Sequence, residues 1–191
     1  MSRNAPSFLD HVLPRSARQA LGLFIACYVL LGAVAPGAAA QGTLVAPMNQ
    51  ARWLHSATLL PNGKVLVVGG FTDSGITGVE LYDPATNIWG GTASLPAPHF
   101  LHTATLLPSG RVLLLGGAPG ILADAVLYDP ATDTWGSATS LPAPRYLHAA
   151  ALLPDGTVLV VGGTHTDPNS PTSSAGLYNP VTGSWREVVL A

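Results

Sequence analysis

A nineteen-residue block recurs three times, at residues 52–70, 99–117 and 145–163, and this recurrence restricts the chain to a repeat architecture. The first copy reads Arg52-Trp-Leu-His-Ser-Ala-Thr-Leu-Leu-Pro-Asn-Gly-Lys-Val-Leu-Val-Val-Gly-Gly70. His55, His102 and His148 stand 47 and 46 residues apart, each 14 residues before the first glycine of a pair: Gly69-Gly70, Gly116-Gly117 and Gly162-Gly163. A second block follows each pair, the first copy being Leu81-Tyr-Asp-Pro-Ala-Thr-Asn-Ile-Trp89. Seven residues separate Tyr82 from Trp89, Tyr128 from Trp135 and Tyr178 from Trp185. Between glycine and tyrosine the spacing varies, at 13, 12 and 16. Constant spacing inside blocks and variable spacing between them describe rigid hairpins joined by a tolerant loop.

Each block reads as a pair of strands. His-x-Ala-x-Leu-Leu is short and apolar. Pro61-Asn62-Gly63 and its counterparts are turn formers, with proline presetting φ and glycine accepting a positive φ. Val65-Leu-Val-Val68 is continuous and branched, as a buried strand is. Tyr-Asp/Asn-Pro-x-Thr is a second turn, in which the Asx side chain bonds the backbone two residues on. The tryptophan opens a fourth strand. Strands A to D thus form one antiparallel sheet per repeat. Composition agrees: 21 Gly and 17 Pro with only 9% charged residues suit short strands and tight turns, and lack the polar face of amphipathic helices.

The double glycine followed by a tyrosine and a tryptophan resembles the kelch repeat, in the form seen in prokaryotic propellers and in the central domain of galactose oxidase. The resemblance covers residues 48–187. It implies an all-β fold, a partial β-propeller of three four-stranded antiparallel blades at approximately residues 48–94, 95–140 and 141–191; the apolar run before them is expected to add an N-terminal hydrophobic helix. It also implies that the tyrosines and tryptophans pack on the glycine pair of their blade. Some kelch-like propellers are copper radical oxidases, whose chemistry needs a cysteine crosslinked to a ligand tyrosine. Cys27 is the sole cysteine here and lies in the N-terminal segment, so no such cofactor is expected.

Arg3, Arg15 and Arg18 precede an apolar run over residues 20–40 that ends in three alanines. A basic flank, an apolar run and small residues match a secretory signal cleaved near Ala40, or an uncleaved membrane anchor. Either places residues 41–191 outside the cytoplasm. Residues 1–40 carry a net +2 of a total −2, leaving −4 on the remainder, with no Lys/Arg run past Arg18. Nucleic acid is therefore not an expected partner. Propellers close with four to eight blades, so three blades read as a fragment of a longer propeller, half of a six-blade homodimer, or an open arc covered by another partner.

The A–B and C–D turns fall on one rim and are nearly invariant. The B–C loops, residues 71–78, 118–124 and 164–174, share the other rim with the D–A connections and differ between repeats. That rim is the expected binding face. Its candidate residues are Trp53, Phe100 and Tyr146, one aromatic per connection, with Phe71, His165 and Asp167 in the loops. The three rings form either a stacking platform for a sugar or peptide or ordinary packing between blades. His55, His102 and His148 recur once per repeat, as a structural role predicts. Each is expected to satisfy a backbone group in its own blade, and no metal site is expected. Arg52 and Arg145 are matched by His99, so the arginines make no complete ring. No nucleophile–base or paired-carboxylate pattern stands out. The expectation is an exported, non-catalytic module binding protein or carbohydrate, or else part of a propeller enzyme whose catalytic residues lie in other blades.

Overall fold

The computed structural model describes residues 44–73, 76–165 and 170–188; the expected N-terminal helix and Asp167 lie outside them. Three sheets are present in one compact unit, Val45–Ala191. The first joins β1 (Ser56–Leu59), β2 (Val65–Val68), β3 (Val79–Asp83) and β4 (Ile88–Gly91). The second joins β5 (Thr103–Leu106), β6 (Val112–Leu115), β7 (Ala125–Asp129) and β8 (Thr134–Ser137). The third joins β9 (Ala149–Leu152), β10 (Val158–Val161), β11 (Ala175–Asn179) and β12 (Ser184–Val188). Within each sheet the strands run in sequence order and pair antiparallel, as strands A to D should.

The turns form for the reasons their residues suggest. Gly63 N–H donates to Leu60 C=O at 2.9 Å, with Pro61 between them and Gly63 at φ +82°; Gly110 and Gly156 repeat the bond to Leu107 and Leu153. In the second turn Asp83 Oδ1 accepts Ala85 N–H at 2.9 Å, Asp129 accepts Ala131 at 3.0 Å and Asn179 accepts Val181 at 2.9 Å. The residue before the fourth strand is left-handed in every copy: Asn87, Asp133 and Gly183, types that tolerate this region.

The sheets stack face to face. Leu66 and Val68 of β2 with Val79 of β3 pack against Val112, Leu114 and Tyr128 of the second sheet. On its other side the second sheet offers Leu113, Leu115 and Ala125 to Val158, Val160 and Tyr178 of the third. The strand β6 is buried throughout because alternate residues feed two different cores, which explains its unbroken apolar run. The first strands, β1, β5 and β9, are neighbours from sheet to sheet, marking the propeller axis. Backbone bonds link them there: Leu101 N–H donates to Leu54 C=O and Leu147 N–H to Leu101 C=O, each at 3.3 Å. All three leucines are left-handed, at φ +58°, +58° and +55°.

The aromatic pairs differ from the expectation. Tyr82 and Trp89 pack on each other across β3 and β4, with ring centroids 4.9 Å apart, as do Tyr128–Trp135 and Tyr178–Trp185 at 5.0 Å. The tryptophan ties its sheet to the incoming chain, Nε1–H donating to Ala46, Ala93 or Thr139 C=O at 2.7, 2.8 and 2.9 Å. The glycine pair is covered by the chain entering the first strands. A Cβ on Gly69 would lie 2.2 Å from His99 C=O, and one on Gly70 would lie 2.9 Å from Trp53 C=O. The absent side chains thus make room for this backbone and for the imidazole of the next repeat, His102 Cε1 lying 3.2 Å from a Cβ on Gly69 and His148 Cε1 3.1 Å from one on Gly116.

Candidate functional site

The turn rim is closed on itself. Its turns satisfy their own backbone, and its charges pair as Lys64–Asp83 at 3.3 Å and Arg111–Asp129 at 3.0 Å. The loop rim is built where each D–A connection meets the residue after a glycine pair: Trp53 bridges Phe71, Phe100 bridges Ala118 and Tyr146 bridges Thr164.

These bridges decide what the aromatic candidates do. Phe100 and Tyr146 are 1% and 4% exposed, and Phe71 is buried beside Phe100. Trp53 is 38% exposed, its ring edge-on to Phe71 at 5.5 Å, and Phe71 in turn meets Phe100 at 5.0 Å. The three-ring platform is therefore not formed. Pairing with the loop start turns two of the rings inward, and only Trp53 presents a large surface to a ligand.

The histidines act between sheets. His102 Nε2 shares a 2.7 Å hydrogen bond with Ser56 Oγ, and His148 Nε2 one of 2.8 Å with Thr103 Oγ1. For these two the partner is the hydroxyl opening the first strand of the preceding sheet, whereas His55 meets the backbone of Arg52 in its own blade, as expected. Burial, with the electrostatics of His99, His148 and His55, pushes His102 down to about 3. Burial, then Arg145, pushes His148 down to about 4. His55 is lowered by burial and by Arg52. Neutral, hydroxyl-bound imidazoles suit blade-to-blade ties, and among the described residues no three His, Cys, Asp or Glu side chains gather as metal ligands.

The residue three before each histidine has different partners in the three repeats. Arg52 is buried against Glu80, Nη2 to Oε1 at 2.6 Å, while Nη1 donates to Gly69 and Gly78 C=O at 2.9 and 2.6 Å. Glu80 also accepts Asn49 N–H at 2.7 Å and Gln50 N–H at 3.2 Å. In the second repeat His99 stands 3.8 Å from Asp124. In the third, Arg145 Nη1 reaches Gly162 C=O and Nη2 reaches Ser174 Oγ, both at 3.2 Å. His165 Nε2 lies 3.3 Å from the same Ser174 oxygen. Arg145, His165 and Ser174 line a cavity of about 140 Å³ together with Gly176, Trp185 and Glu187. Of these residues the loop reading singled out only His165 for binding. The signal for the rest lay in one column of the repeat, where Glu80 is replaced by Val126 and Gly176.

A family model described as "Kelch motif" matches residues 52–89 and 145–189. The chain is 42% identical over 57 residues to Kelch-like protein 33 of Homo sapiens, a match spanning 29% of this chain and 10% of that protein. The solved "Structure of YjhT" is similar with a TM-score of 0.63 at 16% identity, over 72% of this chain and 52% of that one. At that identity the likeness is one of fold, and this chain spans about half of that structure's length.

Proposed function

Because the chain belongs to the kelch-repeat family, we propose that it is an interaction module without catalytic chemistry of its own, binding a protein partner through the loop rim. The contrast between the two rims carries this reading. The turn rim recurs almost unchanged and satisfies its own polar groups. The loop rim varies from repeat to repeat, bears the half-exposed Trp53 ring and opens into the Arg145 cavity. A rigid scaffold with variable loops on one side is the arrangement recognition uses, and an indole at a partly exposed position supplies large contact area at low entropic cost. The basic and apolar N-terminal segment supports export, so the partner would be met outside the cytoplasm.

A photo-crosslinking residue placed at Trp53, and separately at Ser109 on the turn rim, tests the assignment in extracts and medium of the producing cells. Protein adducts from position 53 and none from position 109 are expected. Adducts only from position 109 would overturn the rim assignment, and glycan adducts without protein would replace the protein partner by a carbohydrate.

A further inference from the structure

The third repeat repeats half of an ion pair. β3 and β11 occupy the same place in their sheets, with Glu80 opposite Val67 and Gly176 opposite Val160. In the first sheet the Glu80 carboxylate neutralises Arg52. In the third, glycine stands at that point and removes the carboxylate together with its side-chain volume. The arginine remains. Arg145 is 5% exposed, its Nε is buried without a hydrogen-bond partner, and no described carboxylate pairs with it. A buried cation lacking its partner is costly and therefore demands an explanation. Burial alone lowers the proton affinity of this guanidinium, with no neighbouring charge opposing it.

The space left by the missing side chain is open. The cavity is partly open to the surface and is lined by Arg145, His165, Ser174 and Trp185. The Trp185 ring lies 3.5 Å from where a Cβ on Gly176 would be. Ala143 also lines the cavity, at the chain position of Gln50, whose N–H donates to Glu80 in the first sheet.

We propose that this cavity receives one carboxylate from outside the chain, seated where Glu80 sits in the first sheet and held by Arg145. A guanidinium with a free N–H suits a carboxylate, whose two oxygens match its planar fork. The source is taken to be an Asp or Glu side chain of the protein partner, and this part rests on the function proposed above. Glu187 is the internal competitor, since it lies opposite Gly176 on β12 and lines the mouth of the cavity.

The test uses the full chain, titrated with propionate, with propionamide and with an acetylated, amidated glutamyl tripeptide. The Arg145 Nε–H resonance and Trp185 fluorescence are followed. Saturable shifts with propionate and the tripeptide, and none with propionamide, are expected. Gly176→Glu installs the carboxylate internally at a site with room for it, and should lower the apparent affinity about tenfold or more while the chain stays folded. Arg145→Gln should abolish the response. No saturable shift with either acid, or an equal response to propionamide, overturns the proposal. So does an unliganded Arg145 signal that already matches Gly176→Glu and moves on Glu187→Gln, because Glu187 would then fill the site. A response to propionate without one to the tripeptide retains the anion site and rejects the peptide source. Failure of the titration leaves the crosslinking result at Trp53 untouched, so the two readings fall separately.

Discussion

His102 and His148 tie neighbouring sheets together in a buried setting that disfavours their charged form. In the unfolded chain they titrate near the ordinary value of 6.5, whereas the folded chain holds them down to about 3 and about 4. Below pH 6.5 the unfolded state therefore binds more protons, and stability falls with pH until the folded values are reached. Each histidine costs up to about 1.4 kcal/mol per pH unit in that window. Urea unfolding at about pH 7.5 and about pH 5 should show lower stability at the acid end. His102→Gln should flatten that slope relative to the parent chain, and an unchanged slope would show that the histidine does not carry it. The periodic histidine was visible in the sequence, but its partner was not. Ser56 and Thr103 are 46 and 45 residues away from the rings they meet, and only stacking brings them together.

At the level of the strand, the end of each second strand is where the next sheet is seated. Gly117 N–H donates to Arg145 C=O at 2.9 Å, and a Cβ on Gly116 would lie 2.4 Å from the same oxygen. Gly116→Ala adds a backbone clash to the left-handed strain at φ +56°, so its cost should exceed about 2 kcal/mol. Gly110→Ala, at φ +83° in the exposed turn, meets only Pro61 Cγ at 3.8 Å and should cost about 1 kcal/mol from strain alone. Equal losses for the two in urea unfolding would show that the glycine pair serves only the turn of its own strand. Strand positions, turn types and the four-strand order were legible because they depend on neighbours a few residues apart. What lies nearest those glycines is the segment entering a first strand, partly from the next repeat, with its histidine, and the sequence does not show which repeat's segment meets which glycine pair.

At the scale of the molecule, the two larger hydrophobic cores among the described residues each belong to two sheets and to no single one. Leu114, 1% exposed, points from β6 into the cluster shared with Leu66 and Val68. Leu114→Ala should cost about 2–5 kcal/mol, and hydrogen exchange should show β2 and β6 amides losing protection together. Loss confined to the second sheet would mean that the blades are stable separately. The third sheet shows the other side of this dependence: Val161 is 37% exposed, and Gly163 N–H has no acceptor among the described residues, where Gly117 has one. The sequence by itself determined the repeat, its strands and its two unlike rims, because periodicity of two and turn chemistry act within one hairpin. Tertiary structure alone decided which rings face solvent, which hydroxyls His102 and His148 meet, and that Arg145 is buried beside the space a glutamate fills in the first sheet. Those outcomes depend on how one sheet covers the next, and covering is a contact between residues that the chain keeps dozens of positions apart.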